Sequence, residues 1–282
     1  MIEEINHLRK YTPTNIIFGN NSFKKLNEII NECNGKNLLF ISSKRSFRAD
    51  PLKTLINEFL NKKIKKIFCY SDFNQNPSVS EVDICYDKFR EYGIDTVIGI
   101  GGGSALDFSK ALSLSLDRDL KVNSLLSDKN DNERKVKLIL IPTTSGTGSE
   151  LSFGSILTDE KKKIKIGLRG KHVAANYALI DPELTFSLPI RNTMITGFDV
   201  LTHAIESFIS SKSNSFTEDL SRKSIHIVFE NLLILKKDIN NIHARFRMSF
   251  ASMLMGINLS ISSTCLPHRI QYPIGAITNT EH

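Results

Sequence analysis

The sequence contains few cysteines, and none of them is spaced as a disulfide framework or a zinc knuckle requires. There are four, and no two of them form a C-x-x-C pair, which is typical of reduced thiols in the cytoplasm. No apolar run approaches the ~20 residues that cross a bilayer, and residues 1–14 lack the apolar core of a signal peptide. These absences predict a cytoplasmic protein that has no membrane-spanning segment.

Aromatic residues are also missing from the places where a nucleic-acid-binding protein would need them. The chain has a formal net charge of +7, from 37 basic and 30 acidic side chains. Its lysine clusters, at 62–66 and 161–163, are neither interleaved with aromatic residues nor placed on a recognition helix. We therefore expect solvated basic faces and no nucleic-acid partner, although a mildly basic surface favours a polyanionic cofactor.

The first half of the chain alternates apolar, strand-like runs with amphipathic helical stretches, whereas the last third has a helical pattern. Such alternation predicts a parallel sheet that is covered by helices on both faces. We therefore predict an α/β fold in which an N-terminal doubly wound domain, residues 1–185, precedes an all-α domain, residues 186–282. The predicted strands are 37–43, 64–73, 95–101 and 137–144, and the predicted helices are 22–33, 79–92 and 105–116.

A glycine-rich turn follows the third predicted strand and opens a helix. Gly101, Gly102 and Gly103 have no Cβ atoms to keep a pyrophosphate away, and a helix N-terminus offers free N–H donors. Ser104 and Asp107 form an S-x-x-D pattern, which predicts a capping box at the start of this helix. Because Ser104 stands where the Rossmann fingerprint has its third glycine, the turn by itself is weak evidence for a dinucleotide site.

Asp199 and His203 are four residues apart in TGFDVLTHAIESFIS, a segment with an apolar stripe at helical spacing. This spacing places a carboxylate and an imidazole on one helix face, where both can bind one divalent cation. Two later histidines, His268 and His282, would lie roughly 21 Å apart on a single helix, and Pro273 between them predicts a break. One carboxylate and three imidazoles suit Fe(II), Zn or a neighbouring metal. The alternative is four unrelated polar residues.

Five motifs stand in a definite order along the chain. They are VIGIGGGSALDFSKAL (97–112), IPTTSGTGSE (141–150), DPELTFSLP (181–189), GFDVLTHAIES and PHRIQYPIGA. Their order and spacing resemble those of the iron-dependent (group III) alcohol dehydrogenase family, and the resemblance runs from residue 11 to the last residue. In that family an aspartate, the histidine four residues later and two further histidines bind the metal. The metal ligands implied here are Asp199, His203, His268 and His282.

The resemblance also implies where a dinucleotide binds. The family uses a GGGS-x-x-D-x-x-K turn for this purpose. A second polar loop, PTTSGTGSE, ends the strand at 137–144, where ligands of open α/β sheets collect; from its residues alone this loop is equally well a plain turn. The family also places a lysine nearby that contacts a ribose or a phosphate. The cofactor residues expected on these grounds are Gly102, Gly103, Ser104, Asp107, Thr143, Thr144, Thr147 and Lys165.

The residue after the strand at 37–43 bears on the choice between NAD and NADP. NAD-preferring relatives tend to carry an aspartate there, whereas this chain has Ser43 followed by Lys44 and Arg45. Without a carboxylate to repel it, a 2′-phosphate can bind at this point and pair with the two cations. We therefore expect NADP(H) to be preferred to NAD(H), with an ordinary basic loop as the alternative.

The resemblance implies reversible reduction of a small aldehyde or ketone to an alcohol by a nicotinamide cofactor, with a metal that polarises the carbonyl oxygen. Fe(II) is the expected metal and Zn is the alternative. Tyr272 stands where many relatives have a histidine that is thought to relay the proton, and a phenol with a pKa of about 10 is the poorer shuttle. Tyr272 is the expected relay, and water or the cofactor ribose is the alternative. The expected assembly is a homo-oligomer, in the simplest case a dimer.

Two other functions stay open at this stage. Glycerol dehydrogenases, glycerol-phosphate dehydrogenases and dehydroquinate synthase use related metal- and NAD-binding folds, and a relative can also bind dinucleotide without turnover. Relatives continue beyond the fourth metal ligand, whereas this sequence stops at His282, and chain ends fray. We therefore expect dinucleotide binding through residues 1–185, with weak metal binding and slow turnover unless a partner chain covers the gap.

Overall fold

The computed structural model describes residues 11–43, 64–128, 132–278 and 280. Within these ranges the strands are β1 (Asn15–Phe18), β2 (Asn37–Ser42), β3 (Lys66–Tyr70), β4 (Thr96–Gly101), β5 (Lys137–Pro142), β6 (Gly154–Asp159), β7 (Ile164–Arg169) and β8 (Tyr177–Ile180). The helices are α1 (Leu26–Glu32), α2 (Val79–Phe89), α3 (Gly103–Arg118), α4 (Val122–Leu125), α5 (Ile190–Ile209), α6 (Ser215–Lys237), α7 (Ile242–Ile261) and α8 (Leu266–Thr278).

Six strands form one parallel sheet in the order β1-β8-β5-β4-β2-β3. Parallel strands end at a common edge, and here Ser42 pairs with Ile100 and Gly101 with Pro142 at the carboxyl ends of β2, β4 and β5. The turns that follow these three strands therefore lie side by side. This is the edge at which ligands of open α/β sheets bind.

Helices cover both faces of this sheet, because successive residues of a strand point to opposite sides. Leu38 and Phe40 of β2 pack with α1 in one apolar cluster. Leu39 and Ile41 of the same strand pack with α2 and α3 in another. The N-terminal part is therefore a doubly wound parallel sheet, as the sequence predicts.

After β8 the described chain is helical. Helices α5, α6 and α7 pack around one apolar cluster that includes Val200, Val228 and Met248, and α8 packs against β7. The predicted arrangement of an α/β part followed by an all-helical part is thus confirmed. The last strand of the sheet ends at Ile180 and α5 begins at Ile190, whereas a domain boundary at residue 185 itself stays a prediction.

The antiparallel hairpin of β6 and β7 was not predicted, and neither were the short strands β1 and β8. The hairpin pairs Gly154 with Arg169 and Thr158 with Lys165. It is inserted between the loop after β5 and the last strand of the sheet. It matters for function because it forms one wall of the cavity described below.

The predicted helix break at Pro273 is wrong, because α8 continues through this residue to Thr278. A proline inside a helix removes the hydrogen bond to the carbonyl four residues earlier, here that of Arg269. Both residues are exposed, so water can bind the released carbonyl. Among the described helices none alone is long and apolar enough to cross a membrane, although α7 and α8 pass that test together across a 95° bend.

Candidate metal and dinucleotide site

One cavity of about 520 Å³ lies between the carboxyl edge of the sheet, the β6–β7 hairpin and the helices α5, α7 and α8. Both groups of predicted site residues meet there. The predicted residues that line it are Gly102, Gly103, Ser104, Asp107, Thr144, Thr147, Lys165, Asp199, His203, His268 and Tyr272. Thr143 and Ser43 lie outside the cavity lining, at the ends of β5 and β2. His282, Lys44 and Arg45 lie outside the described residues.

Three potential metal ligands converge at one end of this cavity. Asp199 and His203 lie one turn apart on α5, with Nε2 of His203 at 3.7 Å from Oδ1 of Asp199. His268 approaches from α8, with its Nε2 at 3.6 Å from the same oxygen. Its ring stacks on that of His203 at a centroid distance of 4.5 Å. One donor atom from each residue therefore lies within 4.8 Å of the others.

A buried glutamate that the sequence did not single out supports this cluster. Oε1 of Glu206 lies 2.7 Å from Nδ1 of His268, and Oε2 accepts a hydrogen bond from the backbone N–H of Cys265. Because Nδ1 is engaged, the other ring nitrogen of His268 is directed towards Asp199. The signal in the sequence was an acidic residue on a helix face that is otherwise buried, three residues after His203.

The donor set of the cluster fits a divalent first-row cation. A carboxylate oxygen and two imidazole nitrogens are ligands that Fe(II) and Zn accept. Bonds of about 2.0–2.2 Å bring donor atoms to separations slightly shorter than those of Asp199, His203 and His268. Burial alone would lower the pKa of His268, but hydrogen bonds and charge from Asp199 and Glu206 outweigh it and raise that pKa. The cluster therefore attracts positive charge.

The other end of the cavity is formed by the N-terminus of α3. Gly102 precedes this helix in an extended conformation, and a Cβ atom on Gly103 would lie 2.7 Å from the Thr147 side chain. The glycine turn and the loop after β5 are therefore in contact through a position that tolerates no side chain. Free N–H groups of a first helical turn favour anions, and here they border the cavity.

The predicted capping box of Ser104 and Asp107 is wrong. The N-cap position is Gly102, and no side chain caps the helix. Asp107 instead accepts hydrogen bonds from the Ile156 N–H, at 3.0 Å to Oδ2, and from the Ser149 hydroxyl. The carboxylate thus ties α3 to the loop after β5 and to β6.

Lys110, one turn further along α3, is completely buried beneath the same loop. Its Nζ donates to Oγ of Ser149 at 2.9 Å, to Oγ of Ser152 at 3.0 Å and to the carbonyl of Gly154 at 2.7 Å. Burial lowers the pKa of Lys110 to about 8, although nearby carboxylates oppose this shift. Burial also raises the pKa of Glu150 to about 7, against the effect of Lys110. Two buried ionisable side chains, those of Lys110 and Glu150, therefore lie behind the residues that line the cavity.

Lys165 is the lysine of the hairpin that faces the cavity. Its Nζ donates to Oδ1 of Asn76 at 2.9 Å and to Oγ1 of Thr158 at 3.0 Å, and the Asn76 N–H donates to Ser104 at 3.4 Å. Lysines 161–163 are exposed and line no part of the cavity. Of the four neighbouring lysines, Lys165 is therefore the one that lies near the start of α3.

Tyr272 lies one turn after His268 on α8, with ring centroids 6.5 Å apart. Burial raises the pKa of Tyr272, and nearby carboxylates add to the shift, whereas Arg169 and Arg269 act in the opposite direction. The phenol therefore holds its proton at neutral pH. It stands at the end of the cavity that contains the metal-ligand cluster.

The loop after β5 contacts the helical part through backbone atoms. Gly148 has φ of +60°, and a Cβ atom there would lie 2.6 Å from Cα of Gly256 on α7. Residues other than glycine rarely adopt this φ, and a side chain at this position would not fit in the space. The two parts of the chain are therefore joined at a contact between two glycines.

Family models match nearly the whole chain. The model described as iron-containing alcohol dehydrogenase matches residues 13–182, and the model of the C-terminal part of the Fe-containing alcohol dehydrogenase family matches residues 193–282. The chain belongs to the iron-containing alcohol dehydrogenase family. This membership confirms the resemblance, and the relatives named as alcohol dehydrogenases and reductases support the predicted enzyme class, an NAD(P)-dependent alcohol dehydrogenase or aldehyde reductase of the iron type.

Three individual relatives illustrate the similarity. The sulfoacetaldehyde reductase of Bilophila wadsworthia is 35% identical over 201 residues, which are 71% of this chain and 52% of that protein. The iron-containing alcohol dehydrogenase of Thermotoga maritima is 33% identical with a TM-score of 0.86, over 96% of this chain and 74% of that one. The sulfoacetaldehyde reductase of Bifidobacterium kashiwanohense, solved with NAD+, is 28% identical with a TM-score of 0.86, over 96% and 72% of the two chains. The chain therefore spans about half to three-quarters of these relatives.

Proposed function

We propose that this protein transfers a hydride between NAD(P)H and a small aldehyde or ketone, with a metal ion at its site. One observation carries the proposal: a single cavity has three converging metal donors at one end and a glycine-turn helix N-terminus at the other. A nicotinamide dehydrogenase needs these two features close together, because the cofactor must lie against a polarised carbonyl.

Asp199, His203 and His268 would hold the metal, and the family motif implies His282 as a fourth ligand. When bound, the metal polarises the carbonyl oxygen and the nicotinamide supplies the hydride. An Asp and His donor set suits both Fe(II) and Zn. Fe(II) is the ion we favour, because the family is the iron-containing one, and Zn is the second choice. Glu206 would keep the Nδ1 atom of His268 engaged, so that Nε2 is the nitrogen presented to the ion.

The dinucleotide would lie along the edge of the sheet. Its pyrophosphate would bind at the N-terminus of α3, at Gly102, Gly103 and Ser104, because first-turn N–H groups favour anions. Asp107 would orient the neighbouring loop, as its hydrogen bonds to Ser149 and Ile156 indicate. The further contacts we propose come from the ends of β2, β5 and β7, and they are Ser43, Thr143, Thr144, Thr147 and Lys165.

The preference for NADP(H) over NAD(H) is part of the proposal. Ser43 is exposed directly after β2, and β2 lies beside β4 and its glycine turn. A serine at this point does not repel a 2′-phosphate, whereas an aspartate would. The prediction therefore depends on the charge at one position at the sheet edge.

Reduction of the carbonyl to an alcohol requires one hydride and one proton. The hydride adds to the carbonyl carbon and carries both electrons, so a proton must reach the oxygen to give the alcohol. We assign this proton to the Oη of Tyr272, which lies one helical turn after His268 and carries its proton at neutral pH. Burial raises the pKa of Tyr272 and so weakens it as an acid, and water or the cofactor ribose is the alternative donor. A proton from water would then restore the phenol.

Location and assembly follow from the same proposal. We propose a cytoplasmic homo-oligomer, in the simplest case a dimer, that binds neither nucleic acid nor membranes. Its partners are the dinucleotide, the metal and a small aldehyde or alcohol. The family relatives are named for alcohol and aldehyde substrates, which supports this substrate class.

The decisive experiment compares the wild-type protein with His203→Ala. Each protein is loaded with Fe(II) or Zn, its bound metal is quantified, and oxidation of NADPH and NADH is followed with a panel of aldehydes. We expect the substitution to abolish stoichiometric metal binding and aldehyde-dependent oxidation together. His226→Ala is the matched control, because His226 pairs with Glu230 on exposed α6 positions. Equal metal content in wild type and His203→Ala would refute the ligand assignment.

A further inference from the structure

The cavity-facing side of the β6–β7 hairpin carries two cations. Residues of β7 alternate between the apolar core and the cavity, as expected for a strand: Ile166 and Leu168 pack into the core, whereas Lys165 and Arg169 line the cavity. These two cations are four residues apart on an extended strand. The distance between their Cα atoms is therefore roughly 13 Å, and they serve different ends of the cavity.

Lys165 belongs to the dinucleotide end, because Asn76 connects it to Ser104 at the start of α3. Arg169 belongs to the metal end. Its charge acts on Tyr272, whose ring lies 6.5 Å from that of His268. The helix that carries Tyr272 and His268 packs on β7. A guanidinium therefore stands beside the place where the carbonyl of a substrate would be reduced.

The surroundings of Arg169 leave room for a ligand. Its cross-strand partner is Gly154, and the nearest atom to a Cβ built there would be 3.9 Å away. The preceding residue on the same strand face is Gly167, and the guanidinium lies over it, since a Cβ built there would be 3.4 Å from Nε of Arg169. Within the described part of the chain, the guanidinium of Arg169 makes no hydrogen bond or ion pair. A planar cation with unused donors is suited to bidentate binding of an oxyanion.

The remaining charges of the cavity do not neutralise this guanidinium. The acidic residues that line it are Asp107, which accepts hydrogen bonds from Ser149 and Ile156, and Asp199 in the metal-ligand cluster. Lys212 adds another positive charge to the lining. A neutral substrate would form no ion pair with the guanidinium of Arg169 at the metal end of the cavity.

We propose that the preferred substrate is a short aldehyde that carries a carboxylate, sulfonate or phosphonate group, and that Arg169 binds this group while the carbonyl lies at the metal-ligand cluster. This inference rests on the proposed function and specifies its substrate class. Two relatives, at 35% and 28% identity, are named as sulfoacetaldehyde reductases, which fits an anionic aldehyde. Arg169 is then a specificity-determining residue, because it selects the charge of the substrate.

The test uses matched pairs of aldehydes with the metal-loaded protein and NADPH. Sulfoacetaldehyde is compared with propanal, and 4-oxobutanoate with butanal. For wild type we expect kcat/KM at least about tenfold higher for each anionic member of a pair, as for a charge-assisted bidentate contact. Arg169→Gln should raise KM for the anionic aldehydes about tenfold or more and leave kcat/KM for propanal and butanal nearly unchanged. Arg169→Lys should restore part of the difference.

Lys161→Gln is the control, because it removes one positive charge from the same hairpin at an exposed position away from the cavity. If Lys161→Gln lowers the preference as much as Arg169→Gln, the effect is long-range electrostatics and the assignment to Arg169 is wrong. A wild-type preference for the neutral aldehydes, or equal losses on both members of each pair in Arg169→Gln, would overturn the proposal.

Failure of this inference can be distinguished from failure of the proposed function. If no aldehyde is reduced, the proposed function fails, and the anion site is then measured by calorimetry with 2-hydroxyethanesulfonate, the alcohol that corresponds to sulfoacetaldehyde. Saturable binding that is lost in Arg169→Gln but not in Lys161→Gln would support the anion site. Absence of binding to wild type would overturn it.

Discussion

The Nδ1 atom of His268 lies 2.7 Å from Oε1 of Glu206, and both side chains are buried. Glu206 is on the same helix as Asp199 and His203, whereas His268 is on α8. The contact therefore fixes the orientation of an imidazole from one helix by a carboxylate from another. It also anchors the beginning of α8, because the Cys265 N–H donates to the same carboxylate.

Glu206→Ala is expected to weaken metal binding about 10–100-fold, because partners that orient a ligand have effects of this size. The affinity is measured by competition with a chelator of known strength. Glu206→Gln should lose less, since its amide oxygen can still accept a hydrogen bond. Glu230→Ala is the control, because it removes an exposed His–Glu contact of 3.0 Å on α6. An unchanged affinity in Glu206→Ala would show that His268 does not depend on this support.

Ser43→Asp is expected to shift the preference from NADP(H) towards NAD(H). A carboxylate at the end of β2 repels the 2′-phosphate and can accept hydrogen bonds from the ribose hydroxyls. The dissociation constants of NADPH and NADH are compared for wild type and variant, and their ratio should change by about tenfold or more. A wild type that already binds NADH more tightly would contradict the proposed role of this strand end.

The stability of the protein is expected to contain a pH-dependent contribution from Glu150. Burial raises the pKa of Glu150 to about 7, so the folded state retains a proton that the unfolded chain releases at lower pH. The free energy of unfolding should therefore fall as pH rises from about 4.5 to 7, by an amount on the order of 3 kcal/mol from this group.

Glu150→Gln isolates this contribution. Urea midpoints are measured at pH 5 and pH 8, and the wild type should lose more stability between the two than the variant does. Groups other than Lys110, whose pKa Glu150 itself raises, contribute equally to both proteins, so the difference between them reports on Glu150 and its effect on Lys110. Identical changes in wild type and Glu150→Gln would mean that this carboxyl group titrates at its ordinary pKa in the folded state.

Gly148→Ala is expected to destabilise the protein by roughly 2–4 kcal/mol, because it combines an unfavourable backbone conformation with overpacking. The added Cβ would lie 2.6 Å from the backbone of Gly256, which cannot move aside as a side chain can. Gly154→Ala is the matched control, since its Cβ would be 3.9 Å from the nearest atom. Equal unfolding free energies for the two variants would contradict the close contact.

The sequence predicted the sheet well, because its central strands are long, apolar and bounded by turns. Leu38 and Leu39, which are neighbours on β2, pack into different apolar clusters on opposite faces of the sheet. Because helices cover both faces, every residue of such a strand can be apolar. The hairpin was missed because Lys165 and Arg169 face a polar cavity and make β7 look like a charged loop. The strands β1 and β8 are only four residues long, too short for a clear pattern.

The candidate site was predicted where a local spacing carried the information. Asp199 and His203 are one helical turn apart, so their convergence is a property of the helix itself. The buried contacts of Glu206 and Lys110 were missed because their partners lie 62 and 39 residues away along the chain. A local pattern cannot show that a charged side chain on an amphipathic helix will be buried against a distant loop.

The contact between Gly148 and Gly256 has a consequence for how such a protein can change. It consists of backbone atoms, so no choice of rotamer or neighbouring side chain can lengthen or shorten it. The spacing between the start of α3 and the helices behind the metal-ligand cluster is therefore insensitive to most substitutions. Substitutions on the walls, such as those of the hairpin, would leave this contact in place, so under the proposed function the pocket could take a different substrate while the two ends of the cavity keep their separation.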